Sequence, residues 1–128
     1  MPSLQVILDA EAREAGFSPP APRAVETAAG LIRKLREAVP GIVFDVYPTD
    51  DREVAIDVHA RYRRAALLLC EPGGAVVVFV TCDGQNARRR YPDAMTLPDT
   101  FTLDAVRSLA EDAPGGAGTE KKEEDQKP

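Results

Sequence analysis

The chain contains 128 residues, a length that suits one domain and is short for two. Hydrophobic residues make up 44% and charged residues 29%, which is typical of a globular protein and excludes a chain that is disordered throughout. The formal net charge is −5, but residues 111–128 hold six acidic and three basic side chains, so residues 1–110 carry only −2. A nearly neutral body neither requires nor excludes a polyanionic partner.

The sequence contains no membrane or export signal. No apolar run approaches the roughly 18 residues needed to span a bilayer, and the N-terminal stretch lacks the basic residues that open a signal peptide. Cys70 and Cys82 lie in apolar, strand-like runs, where reduced thiols are the simplest interpretation. We therefore expect a cytoplasmic protein that does not associate with a membrane.

The first third of the chain predicts two helices. Ser3 can cap a helix over residues 4–15, and Gly16 suits a left-handed stop. Pro22 suits the first position of a longer helix over residues 22–39, which Pro40 and Gly41 would end. One apolar stripe at helical spacing supports this helix: Val25, Ala28, Ile32, Leu35 and Val39.

From residue 42 onward the hydrophobic period changes from 3.6 to 2, which indicates strands. Strands are predicted over residues 42–47, 53–60, 64–71, 75–82 and 87–91, separated by short turn sequences rich in Pro, Gly, Asp and Asn. Short turns pair consecutive strands antiparallel. The predicted fold is therefore α+β, with a five-stranded antiparallel β-meander packed by the long helix from the N-terminal half.

A short C-terminal helix completes the prediction, as the short N-terminal helix begins it. This last helix is predicted over residues 103–111, with Thr102 as its cap and Phe101 packing onto Val106. Together these elements form one domain over residues 1–112. Residues 113–128 are glycine-rich and then charged, with nothing to bury, and we expect a disordered charged tail.

The two faces of the predicted sheet differ in polarity. The second strand is polar on one side, whereas the third and fourth are apolar on both. A three-residue turn at residues 61–63 would set Ala66, Leu68 and Cys70 beside Val54, Ile56 and Val58. Leu67 and Leu69 would then point to the opposite face, joined either by Val77 and Phe79 or by Val76, Val78 and Val80, depending on the hairpin register.

This second apolar face needs a cover, because the long helix can cover only one side of the sheet. Our first expectation is that the chain's own first or last helix covers it. The alternative is an interface with another subunit or with a partner.

Arginines cluster at two places that a meander would bring to the same end of the sheet. The predicted rim consists of Arg61, Tyr62, Arg63, Arg64, Arg88, Arg89 and Arg90. One interpretation is a set of solvated charges that protect the sheet edge. The other is a docking rim for an acidic protein surface or a phosphate backbone, which the planar guanidinium contacts with two parallel hydrogen bonds.

Catalytic and metal-binding patterns are missing from the sequence. His59 is the sole histidine, and Asp57 on the same side of the strand could orient its ring, but no Ser or Cys is clearly placed beside it. One histidine and two separated cysteines do not supply a zinc site. We therefore expect neither an enzyme nor a cofactor or metal.

Three functional hypotheses follow from these observations. The first is a small, non-catalytic protein-binding or regulatory protein, similar to an antitoxin, immunity factor or inhibitor. It would bind a protein partner or a second copy of itself through the sheet face with Leu67, Leu69 and Phe79 and through the arginine rim. The alternative is a nucleic-acid-binding protein that uses Arg61–Arg64 and Arg88–Arg90, with salt-sensitive affinity. The third is an enzyme that uses Asp57 and His59.

Overall fold

The computed structural model describes residues 3–61 and 64–111, without the side chains of residues 59–61 and 111. The described chain is an α+β fold with three helices and an open, five-stranded antiparallel sheet, which confirms the predicted fold class. The predicted tail at residues 113–128, together with Tyr62 and Arg63, lies outside the described residues. The elements are α1 (Leu4–Ala15), α2 (Pro22–Ala38), β1 (Phe44–Pro48), β2 (Val54–Arg61), β3 (Arg64–Cys70), β4 (Val76–Cys82), β5 (Gln85–Tyr91) and α3 (Thr100–Glu111).

The first two helices begin and end where local chemistry favours it. The Ser3 hydroxyl accepts a hydrogen bond from the backbone N–H of Val6 at 3.3 Å, which caps α1. Gly16 ends this helix with φ 78°, a left-handed conformation that glycine adopts without strain. Pro22 begins α2, where its missing N–H costs no helical hydrogen bond.

The last helix begins earlier than predicted, at Thr100, and its cap is Asp99. The Asp99 Oδ1 atom accepts hydrogen bonds from the Thr102 backbone N–H at 3.0 Å and from the Thr102 hydroxyl at 2.8 Å. Its Oδ2 atom accepts a hydrogen bond from the Tyr91 hydroxyl at 2.6 Å. The prediction that Thr102 is the cap was wrong, because Asp99 sits three residues ahead of Thr102 with a stronger acceptor. The Tyr91 contact also fixes the end of β5 to the start of α3.

The sheet has the simplest order, β1-β2-β3-β4-β5, as expected for a meander. The predicted pairing of β2 with β3 is confirmed at its centre, where Ile56 lies opposite Leu68. Nearer the hairpin the register shifts, and Arg61 pairs with Arg64. This shift is a bulge in β2, which inserts one extra residue into one strand of the pair.

All three helices contribute to one core on a single face of the sheet. Leu8 of α1, Leu31 and Leu35 of α2, and Val106 of α3 are buried with the sheet residues Val54, Ile56, Val58, Ala66, Leu68, Cys70, Val76 and Val78. The expectation that the first or last helix covers the second face was therefore wrong. The buried side of each helix packs in this single core, so the described residues provide no helix that could cover the opposite face.

Truncation of each of two adjacent leucines on β3 should lower the free energy of unfolding by different amounts, because the two side chains lie on opposite faces of the sheet. Leu68 is fully buried in the core, so Leu68→Ala should lower the free energy of unfolding by about 2–5 kcal/mol. Leu69 is only partly buried on the other face, and Leu69→Ala should cost about 1 kcal/mol in the monomer. Urea unfolding of both variants checks this order, and equal losses would contradict the assignment of faces.

Asp99 should contribute stability that depends on pH. Burial raises the pKa of its carboxyl, but the hydrogen bonds from Tyr91 and Thr102 together outweigh burial and lower the net pKa. A lowered folded-state pKa means that the charged carboxylate stabilises the fold above its unfolded pKa of about 3.9. This contribution is lost as the pH falls through the lower, folded value.

We expect Asp99→Ala to cost about 0.5–2 kcal/mol near neutral pH, as loss of a helix cap does. The difference in free energy of unfolding between wild type and variant should stay constant above about pH 5 and should become smaller as the pH falls below about 4. Denaturant unfolding at a series of pH values measures this difference, and a difference that grows in acid would contradict the assigned role.

Candidate protein-binding face

The side of the sheet that points away from the helices is the candidate site, and we call it the open face. Side chains on a strand alternate between the two faces, and the observed register determines which residues share the open one. Two rows of residues run across all five strands on this face. They are Asp45, Asp57, Leu67, Phe79 and Arg88 in the first row, and Tyr47, Ala55, Leu69, Val77 and Arg90 in the second.

The centre of the open face is apolar. Leu67 pairs with Phe79, and Leu69 pairs with Val77, which resolves the hairpin register that the sequence left open. Val77 is buried beneath its neighbours, whereas Leu67, Leu69 and Phe79 are partly exposed. The three apolar residues predicted from the sequence for this face are therefore together on it, on two adjacent strands.

The β1–β2 side of the open face is acidic. Asp45 and Asp57 lie directly opposite each other on these strands, an arrangement of like charges that destabilises a sheet unless a cation is near. The Tyr47 hydroxyl donates a hydrogen bond to Asp57 Oδ2 at 3.4 Å. Burial raises the pKa of Tyr47, and the negative charges of Asp57 and Asp45 raise it further.

The β5 side of the open face is basic. The Arg88 guanidinium lies 5.8 Å from the centre of the Phe79 ring, within the range of a cation–π contact. Arg90 forms a salt bridge with Glu71, with Nη2 and Oε1 separated by 3.0 Å, and this carboxylate raises the pKa of Arg90. Of these two arginines, Arg90 thus has an anionic partner within the chain, whereas the contact shown for Arg88 is with an aromatic ring.

The predicted arginine rim does not form as one unit among the described residues. Arg64 points to the helix face and donates a hydrogen bond to the Ser108 hydroxyl at 2.7 Å, and Arg89 lies 4.2 Å from the ring centre of Phe101 on that same face. Arg88 and Arg90 lie on the open face. The pleat separates them from Arg89, because three consecutive strand residues cannot share a face.

The remaining rim residues are not placed. The side chain of Arg61 is not described, and Tyr62 and Arg63 lie outside the described residues. The side chain of His59, which the enzyme hypothesis requires, is likewise not described. Whether any of the predicted residues binds a partner therefore stays a prediction.

A second concave feature lies on the helix side of the sheet. A groove of about 280 Å³ runs between α3 and the ends of β3 and β4. Val80, Phe101, Ala105 and Leu109 give it an apolar lining, and Arg64 lies at its border. Asp104 and Ser108 also line the groove, and the Ser108 hydroxyl accepts the hydrogen bond from Arg64.

Metal binding and membrane insertion find no support in the described part of the chain. No group of three or more His, Cys, Asp or Glu side chains within residues 3–61 and 64–111 is positioned to hold a metal ion. Over the same residues, no helix has the length and apolar character required to cross a bilayer.

Comparison with known proteins gives no relative on which to base a function. No protein-family model matches the chain, and neither the curated proteins nor the solved structures include a significant match.

The sequence indicated the apolar part of the open face and the polar side of β2 with Asp57, but Asp45 and Tyr47 were not predicted beside it. Asp45 and Tyr47 alternate with Phe44 and Val46, a signal that places them on the face opposite the core. Their position beside Asp57 depends on the register of β1 with β2. The turn between these strands could have fixed that register only if its length had been known.

The two cysteines should differ sharply in reactivity. Cys70 is buried in the core, and burial raises the pKa of its thiol to about 12, whereas Cys82 is exposed at the end of β4. Because the thiolate is the nucleophile, a thiol reagent should modify one cysteine rapidly in the native protein and the second only after unfolding. Mass spectrometry counts the modified thiols. Cys82→Ser should abolish the fast reaction, and rapid modification of Cys70 would contradict its burial.

Proposed function

We propose that this protein is a small, non-catalytic interaction protein of the antitoxin, immunity-factor or inhibitor type, and that it binds another protein chain through the open face. The observation that carries the proposal is the apolar centre of Leu67, Leu69 and Phe79, which the described helices leave uncovered. Binding of another protein would remove this apolar surface from water and so lower the free energy of the system.

The charges around the apolar centre favour a protein partner of mixed charge. Asp45 and Asp57 lie on one side and Arg88 on the other, so the face presents both signs within a few strands. An apolar centre with a charged border is the usual anatomy of a protein interface. The charges would then select the orientation of the partner, and the apolar centre would supply most of the affinity.

Nucleic-acid binding has weaker support in the geometry. The described arginines are divided between the two faces of the sheet, and Arg64, Arg89 and Arg90 each contact another side chain of this chain. A phosphate backbone that lay across the open face would also meet Asp45 and Asp57. A surface that binds a phosphate backbone needs a row of basic side chains on one face of the protein.

The test compares the intact chain with a variant that alters only the open face. Leu67→Thr/Leu69→Thr removes apolar area while keeping residues that favour strands. Val6→Ser removes an exposed apolar side chain from α1, away from the open face, and serves as the matched control. Each tagged protein is used to capture partners from its native lysate, with and without nuclease, and mass spectrometry measures the stoichiometry.

We expect capture of one protein in stoichiometric amount, either a different chain or untagged copies of this one. Capture should resist nuclease, fall at least roughly tenfold with the double variant and persist with Val6→Ser. If the double variant, shown to be folded by circular dichroism, captures the same protein as wild type, the open face is not the binding surface. Loss of capture after nuclease treatment would favour the nucleic-acid hypothesis.

A further inference from the structure

We infer that the partner of the open face is a second copy of this chain, bound face to face about a two-fold axis that runs along β3. This inference rests on the proposed function, because it names the occupant of the same face. It depends on the order of side chains in the two rows that cross the sheet. The first row is acidic on one side, apolar in the middle and basic on the other, and the second has a small residue on β2 and a basic one on β5.

The symmetry of a face-to-face dimer limits how the two rows can meet. The two-fold axis must lie in the plane between the sheets, because the rotation has to turn one face over onto the other. An axis that crosses the strands would lay β1 on β1 and β5 on β5 of the second copy. The acidic side of one face would then cover the acidic side of the other, and the arginines of β5 would cover arginines, which places like charges together.

An axis along β3 produces the opposite result. It lays β1 of one copy over β5 of the second copy and leaves β3 over β3. In the first row Asp45 then lies opposite Arg88 of the second copy, and Leu67 lies opposite Leu67. Asp57 lies opposite Phe79, so within this row its carboxylate meets no cation of the second copy and keeps the hydrogen bond from Tyr47 of its own chain. Because the axis generates each contact twice, the dimer contains two such pairs of opposite charge and no pair of like charges along this row.

The second row is also complementary, in this case by size. The same axis lays Ala55 over Val77 of the second copy, Leu69 over Leu69 and Tyr47 over Arg90. A small side chain thus meets a larger one, which permits two sheets to approach to about 10 Å. Tyr47 is 38% exposed and presents an aromatic ring to a guanidinium, a pairing that suits a cation–π contact.

The area of the open face sets the expected strength of the dimer. Five strands of five to eight residues, about 4.8 Å apart and rising about 3.4 Å per residue, form a face of roughly 600 Å². Specific interfaces bury roughly 600–1,000 Å² of each partner, so this face lies at the lower limit. We therefore expect a reversible dimer rather than an obligate one.

Charge exchange within the proposed pair tests both the occupant and the axis. Asp45→Lys places a lysine opposite Arg88, and Arg88→Glu places a glutamate opposite Asp45, so each single variant should weaken the dimer by roughly tenfold or more. The double variant Asp45→Lys/Arg88→Glu restores opposite charges in both pairs. An equal mixture of the two single variants does the same. In a mixed dimer the introduced lysine of one chain faces the introduced glutamate of the other, and the second pair keeps its original aspartate and arginine.

The measurement is sedimentation equilibrium of the purified full-length protein over about a hundredfold range of concentration. Arg107→Glu, an exposed charge reversal on α3, is the matched control and should leave the dissociation constant unchanged. Thermal unfolding followed by circular dichroism verifies that every variant is folded. The expected pattern is a wild-type dimer, two weakened single variants, and recovery in both the double variant and the mixture.

Each other pattern overturns the inference in a recognisable way. A wild-type protein that is monomeric throughout the range excludes the second copy as occupant, and the proposed function still stands if open-face variants lose another protein in the capture experiment. If the charge reversals at Asp45 and Arg88 leave the dissociation constant unchanged, the dimer is formed through another surface. A dimer whose double variant stays as weak as the single variants contradicts the axis along β3. If, in addition, capture is insensitive to Leu67→Thr/Leu69→Thr, the proposed function fails as well.

Discussion

The alternation of side chains along β3 is the constraint on which the rest of the structure depends. Leu67, Leu68 and Leu69 are consecutive and equally apolar, but the pleat sends the middle one into the core and the outer two to the other face. The chain therefore carries more apolar sheet surface than one layer of helices can bury. In the described residues α1, α2 and α3 all pack on the core side, which leaves the open face without a covering helix.

Affinity and orientation have separate physical sources on this face. Leu67, Leu69 and Phe79 contribute through removal of apolar area from water, which carries no direction. Asp45 and Arg88 contribute little affinity at an exposed border, but like charges placed together cost more than opposite charges gain. In the proposed dimer the order of charges across the strands would thus act mainly by exclusion, since it penalises the arrangement in which β1 covers β1 and β5 covers β5.

The sequence predicted the fold because each element has its own local signal, and the core face of β2 and β3 followed from alternation alone. It failed where the outcome depends on competition between elements. The cap of α3 is Asp99 and not Thr102, because a charged carboxylate accepts hydrogen bonds better than a threonine hydroxyl does, and the Tyr91 hydroxyl holds this carboxylate in position. The described arginines of the predicted rim lie on both faces of the sheet, because neighbouring residues on a strand, such as Arg88 and Arg89, point to opposite faces. Which face the helices cover is a global packing result that no local pattern encodes.

If the open face forms the proposed dimer, a different protein that binds the same face must compete with the second copy. A partner that needs Leu67 and Leu69 can bind only the monomer, so its apparent affinity falls by the fraction of chains held as dimer. With an interface near the lower size limit, that fraction would change over an ordinary range of protein concentration. A partner whose surface repeats the acidic, apolar and basic order of this chain would compete best, because it would mimic the second copy. The same row of side chains would therefore govern both storage of the free protein as a dimer and selection of the chain that displaces it.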